Sequence, residues 1–230
     1  MKPQIILAGG GEPEDELPLN RLFAEWTGTA SRVLYLPIAM DGVRVPYATC
    51  REWFSSVFRP LGIHCFEMWT DIFAEDHARL NEFTAIFIGG GNTYRLLKLL
   101  RDAKFDQALM RFVAQGGIVE GGSAGAIILG RDINTCAHMD ANEVGLRETR
   151  GLNLVADHAI WCHYRAEDDQ RIAAYIATCG FPVIALTERS GMQIAGDHLF
   201  AAGYEGVIRF TASSKEIFGV GDEIRLGAHA

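Results

Sequence analysis

The chain has 230 residues, 49% of them hydrophobic and 22% charged, the balance of a globular protein rather than a disordered one. Its 21 basic and 29 acidic residues give a formal net charge of −8, without the basic footprint of a general nucleic-acid binder. Five cysteines without a CxxC pair read as reduced thiols, not as a disulfide framework or zinc knuckle. No apolar run approaches the roughly 20 residues that cross a bilayer, and the apolar start is too short for a signal-peptide core. A cytoplasmic location is the expectation.

In chain order, residues 4–8 read as a strand, 19–27 as a helix, 32–37 as a strand and 47–58 as a helix. A strand at 85–88 leads to helices at 93–101 and 106–114, then to strands at 117–120 and 158–162. A helix over 167–178 stops before Gly180 and Pro182, and a strand follows at 183–186. Several strands are apolar on consecutive residues, as parallel strands covered on both faces are. The alternation predicts an α/β fold, with an open, mostly parallel sheet flanked by helices on both sides. Short runs at 191–195, 198–202 and 206–210, separated by Gly-Asp and Gly-Tyr-Glu, read as a small antiparallel C-terminal extension. No linker interrupts the pattern, so one domain over residues 1–230 is expected.

Open α/β sheets place their sites at the carboxyl ends of strands, and three glycine-rich turns here follow a strand directly. Gly9-Gly10-Gly11 is neither GxGxxG nor a phosphate loop and reads as a pocket rim. Gly89-Gly90-Gly91-Asn92-Thr93 stands between a strand and a helix, where glycines let backbone N–H groups approach a ligand. Gly121-Gly122-Ser123-Ala124-Gly125 matches GxSxG between a strand-like run and an apolar helix, the context of a nucleophile elbow.

A serine hydroxyl needs a base, normally a histidine oriented by an acid. His163 is the candidate, because it follows a strand as Ser123 does. His158 starts that strand and is expected at the opposite edge; His64, His77, His198 and His229 are expected in solvent, with His138 a minor candidate. A metal site of His138, Asp140 and His163 is weighed and set aside, since no HExxH or comparable ligand pair exists.

GGGNT before an apolar helix, the GxSAG elbow, and a late strand ending in His163-Tyr164 together resemble the aspartyl dipeptidase (dipeptidase E) family of serine peptidases, with cyanophycinases as more distant relatives. The similarity runs from Gln4 to about Phe210. It implies a class I glutamine-amidotransferase-like fold, a Ser–His–acid apparatus, no cofactor or metal, and hydrolysis of dipeptides or short peptides, with an N-terminal aspartate as one substrate class. By this resemblance Ser123 is the nucleophile, His163 the base, and Gly91 and Ala124 carry the oxyanion-hole amides.

The pattern departs from the family twice. Where the better-known members have Asn-Asp-Met-Pro, His138 stands at the position of the aspartate, so Asp140 or Glu143 is expected to supply the acid. After the histidine, Asp168 replaces the first arginine of the family run while Arg171 remains. Arg165 and Arg171 are the candidate cations for a substrate carboxylate; Asn92, Glu120, Glu167 and Asp168 are further candidate substrate contacts, the acids for an ammonium. A short peptide is the expected partner, with no nucleic acid and no membrane, and a homodimer is left open. The alternatives are a non-hydrolytic small-ligand-binding protein and another acyl hydrolase on the same scaffold.

Overall fold

Continuous burial along β1 (Gln4–Ala8) and β2 (Arg32–Leu36) follows from their unbroken apolar runs, which place side chains into a core on each face of the sheet. A computed structural model describes residues 3–224, and the expectation for His229 lies outside them. Helices α1 (Leu17–Thr27) and α2 (Tyr47–Phe58) flank β2 in sequence, and β3 (Cys65–Met68) and β4 (Ala85–Ile88) follow. Next come α3 (Thr93–Asp102), α4 (Phe105–Ala114), β5 (Ile118–Gly122) and the short α5 (Ala124–Leu129). The chain continues through β6 (Ala159–Trp161), α6 (Asp169–Cys179), β7 (Val183–Ala185), β8 (Ser190–Ala195), β9 (His198–Gly203), β10 (Val207–Phe210) and β11 (Lys215–Phe218).

The main sheet has the order β3-β2-β4-β5-β1-β8-β9. Its first five strands are parallel, and β8 and β9 add to β1 as an antiparallel edge. A second sheet, β11-β10-β7-β6, holds β6 and β7 in parallel. The late strands therefore divide, β8–β9 extending the main sheet and β10–β11 completing the second one, rather than forming one small extension. Sequence periodicity missed β3 and β11. Both are four-residue edge strands with mostly half-exposed or exposed side chains, too short to show a period.

On one face of the main sheet, Ile6, Val33, Tyr35, Phe87 and Ile118 pack against Leu19 and Phe23 of α1 and Phe54 and Phe58 of α2. On the other face, Leu7, Leu34, Ile88 and Val119 meet α3, α4 and α5, and the same core continues to Ile160 of β6 and Ile184 of β7. Helix α6 covers the far face of the second sheet through Ile172, Tyr175 and Ile176. The aromatic cluster of Phe23, Phe54, Phe58 and Phe87 has ring centroids 4.5–6.0 Å apart, and burying each such ring is worth ~2–3 kcal/mol. This packing holds the carboxyl ends of β1, β4, β5, β6 and β7 around one place.

Candidate active site

The elbow is built where β5 turns into α5. Ser123 has φ 50° and ψ −111°, a strained conformation for a residue with a side chain, costing ~1–3 kcal/mol. A Cβ on Gly125 would stand 2.2 Å from the Ile88 carbonyl oxygen, so only glycine lets α5 start this close to β4.

His163 follows β6 and also has positive φ, 53°. Its ring lies beside the elbow, with Nε2 2.9 Å from Ser123 Oγ. His163 Nδ1 is 3.2 Å from Glu188 Oε1. With Nδ1–H donating to that carboxylate, Nε2 is the acceptor that a serine proton needs. The side chains of His163 and Glu188 are 31% and 48% exposed, so the dyad faces solvent and a substrate can reach it.

The partner of His163 is thus Glu188 and neither of the two expected acids. Asp140 accepts the backbone N–H of Thr93 at 2.8 Å, fastening its loop to the first turn of α3. Glu143 is 71% exposed, with Arg44 3.7 Å away. Both lie on a loop fastened to the start of α3, where Asn92 donates to the Ala141 carbonyl and Asp140 holds Thr93 N–H. Glu188 sits in a tight turn between β7 and β8, closed by Ser190 N–H donating to the Thr187 carbonyl and by Thr187 N–H donating to Ser190 Oγ. A signal for it was present, because Glu188 follows a strand as Ser123 and His163 do. The set-aside metal site does not assemble: His138 stacks on Trp161 at 4.3 Å, while Asp140 and His163 have the partners just given. His77, expected in solvent, is half-buried and bonds the Ile72 carbonyl, whereas His64 and His198 are exposed. His158 is buried at the other end of β6, as expected.

The β1 turn joins these parts. Ser123 N–H donates to the Ala8 carbonyl at 3.1 Å, and His163 N–H to the Gly9 carbonyl at 3.0 Å. A Cβ on Gly10 (φ 99°) would lie 2.5 Å from the His163 ring and 2.8 Å from Ser123 Cβ. Glu16, at the start of α1, accepts the N–H groups of Gly10 and Gly11 through Oε1 at 2.8 and 3.0 Å. Burial pushes its carboxyl up to about 7, against the pull of those two amides. Sequence reasoning missed Glu16, whose role depends on a backbone turn that no spacing announces.

The remaining candidates divide. Gly90 packs against Ser123, a Cβ there falling 3.4 Å from Ser123 Cβ, and the Gly91 amide follows it. Among the described residues the Gly91 amide has no backbone acceptor, and Ala124 is the first residue of α5, where an N–H has no intrahelical partner. Asn92 caps α3 by accepting Arg95 N–H and donates to the Ala141 carbonyl, so its side chain is spent on structure. Glu120 points away from Ser123 toward α1: it is fully buried on the face of Ile6 and Phe87, and neither oxygen has a hydrogen-bond partner among the described residues. Burial and the neighbouring Glu16 raise its pKa well above the carboxylate range. Arg171 bonds Asp168 at 2.9 Å and is itself 61% exposed. Asp168 also accepts Arg165 N–H, and the side chains of Arg165 and Glu167 are exposed. None of these four touches Ser123 or His163.

Two cavities flank the glycine turn after β4. One, of about 260 Å³, contains Ser123, Gly10, Gly90 and Glu16; the other, of about 430 Å³, is lined by Gly91, Asn92, Arg44, Arg95 and Asp140. Among the described residues no helix is long and apolar enough to cross a membrane.

The sequence matches the model of Peptidase family S51 over residues 5–201. It is 31% identical over 136 residues to Peptidase E of Streptomyces coelicolor, a stretch covering 55% of each chain. It is 28% identical over 188 residues to the "Probable alpha-aspartyl dipeptidase" of Drosophila melanogaster, covering 78% of this chain and 76% of the relative. Among solved structures, a peptidase from an acI-B1 Actinobacterium superposes with a TM-score of 0.74 at 17% identity, covering 97% of both chains. A crystal structure from Listeria monocytogenes EGD-e gives 0.71 at 22%, covering 89% of this chain and 100% of the other, and both share the fold. The chain belongs to Peptidase family S51, the serine peptidases that its elbow, glycine turn and late histidine resemble.

Proposed function

We propose that this chain hydrolyses dipeptides or other short peptides with Ser123 as nucleophile, His163 as base and Glu188 as orienting acid. The observation that carries the reading is the continuous contact from Ser123 Oγ to His163 Nε2, and from His163 Nδ1 to Glu188.

His163 takes the Ser123 proton as Oγ attacks the scissile carbonyl, and Glu188 stabilises the imidazolium that forms. The amides of Gly91 and Ala124 face the developing oxyanion, each such donor being worth ~3–4 kcal/mol in the transition state. The C–N bond then breaks and His163 returns the proton to the leaving amine. Water, deprotonated by the same histidine, hydrolyses the acyl-serine and releases the acid. A binding-only protein, the rival reading, rests on the displacement of the acid from its family position, and Glu188 offers His163 a carboxylate. Cytoplasmic hydrolysis of small peptides fits this chemistry.

Ser123→Ala tests the assignment: it should abolish release of free amino acids from a dipeptide panel while leaving the thermal transition in place. Wild-type turnover by that variant would remove Ser123 from the mechanism.

A further inference from the structure

We propose that the cavity containing Ser123 receives the N-terminal residue of the peptide with an apolar or aromatic side chain, not an acidic one, and that Glu16 takes its free ammonium. The inference rests on the function proposed above and names its substrate class.

The walls of this cavity are Tyr35, Met40, Val45, Trp53 and Phe87, and among the described residues Glu16 is its one acidic or basic lining residue. A bound aspartate side chain would lose its hydration against these walls with no cation to replace it, and would face a second carboxyl group. The guanidiniums of Arg44 and Arg95 belong to the neighbouring cavity, beyond the turn that carries Gly90 and Gly91. Arg165 and Arg171 lie outside both.

Glu16 suits an ammonium. Its Oε1 is held by the Gly10 and Gly11 amides, which leaves Oε2 to accept a charged N–H donor. A cation arriving beside a carboxyl that burial has raised to about 7 draws it to the ionised form. An N-terminal residue carries this ammonium on the carbon that also bears the side chain and the scissile carbonyl, so one cavity next to Ser123 serves all three.

The test compares kcat/KM for Leu-Ala and Phe-Ala with Asp-Ala and with N-acetyl-Leu-Ala, alongside labelling of Ser123 by a serine-reactive phosphonate. Leu-Ala and Phe-Ala should exceed Asp-Ala by about tenfold or more, the scale on which apolar pockets discriminate. Thr49→Arg, which sets a cation at the exposed rim of the cavity, should narrow that ratio. Glu16→Gln should narrow the ratio of free to acetylated Leu-Ala even if both rates drop as the glycine turn loosens. Labelled Ser123 with Asp-Ala preferred would overturn the subsite and leave the nucleophile standing. Unlabelled Ser123 with no peptide cleaved would overturn both. Equal loss on free and acetylated substrates in Glu16→Gln would overturn the ammonium contact.

Discussion

Ser123 and His163 hang from consecutive carbonyls of one turn: Ser123 N–H donates to Ala8 and His163 N–H to Gly9, and both residues hold positive φ. Two strained residues on different sheets are thereby set 2.9 Å apart by a third segment, the end of β1. The strain persists because the surrounding packing over-determines it, and it aims both side chains into the same opening.

The acid assignment separates two carboxylates by what each supports. Glu188→Gln should lower kcat by about 10³–10⁴-fold with the fold intact, as removing a triad carboxylate does. Asp140→Ala should keep kcat within a few-fold and instead cost about 0.5–2 kcal/mol of stability, because Asp140 satisfies the Thr93 amide at the start of α3. Steady-state kinetics and denaturant melts on the two variants check this, and the reverse pattern would restore Asp140 as the acid.

Gly10→Ala should disable the site without removing a catalytic group. The added methyl meets the His163 ring at 2.5 Å and Ser123 Cβ at 2.8 Å, on a backbone with φ 99°. The His163 ring must swing away, breaking its contact with Ser123. A loss of kcat of at least about 10²-fold is expected, since misplacement by about 1 Å costs that much. Phosphonate labelling should slow in parallel, and unchanged labelling would show that the ring has room.

The buried acids Glu16 and Glu120 give the protein a pH-dependent stability. Glu16 is raised to about 7 and Glu120 well above 4.5, in each case mainly by burial. The folded chain therefore keeps protons that the unfolded chain has lost, and stability falls as pH rises from about 4.5. The Glu16 share levels off near pH 7, and the Glu120 share continues beyond. Glu120→Met, which fills the same space without a polar group to desolvate, should raise Tm at pH 8 and raise it less near pH 4.5, where only an unpartnered neutral carboxyl is removed. Thermal melts across this range decide it; a Tm lowered at pH 8 would mean that Glu120 has a stabilising partner.

Arg171 offers the contrasting case of a conspicuous cation without a site. Its bond to Asp168 is largely exposed on the arginine side, so Arg171→Met should cost only about 0–1 kcal/mol. Its effect on kcat/KM should be equal for Asp-Ala and Leu-Ala. A loss confined to Asp-Ala would return Arg171 to substrate binding.

The neighbouring positions of Ser123 and His163 were legible because each follows the end of a buried strand. The parallel sheet was legible for the same reason, its strands being unbroken apolar runs. Glu188 also ends a strand, yet nothing around it in sequence marks a carboxylate as paired, and loop acids are usually solvated. Asp140 looked suitable because it lies close to the family's aspartate position, but the fold uses it to satisfy an amide of α3. Glu16 acts through the backbone of Gly10 and Gly11, a link visible only once the turn has a shape.

The central claim is that Ser123 is the activated nucleophile. Intact-mass analysis after exposure to a serine-reactive phosphonate tests it most directly, with the adduct located by peptide mapping. One adduct per chain on Ser123 is expected, absent from Ser123→Ala and much slower to form in His163→Ala. An unmodified protein, or an adduct on another residue that persists in Ser123→Ala, would contradict it.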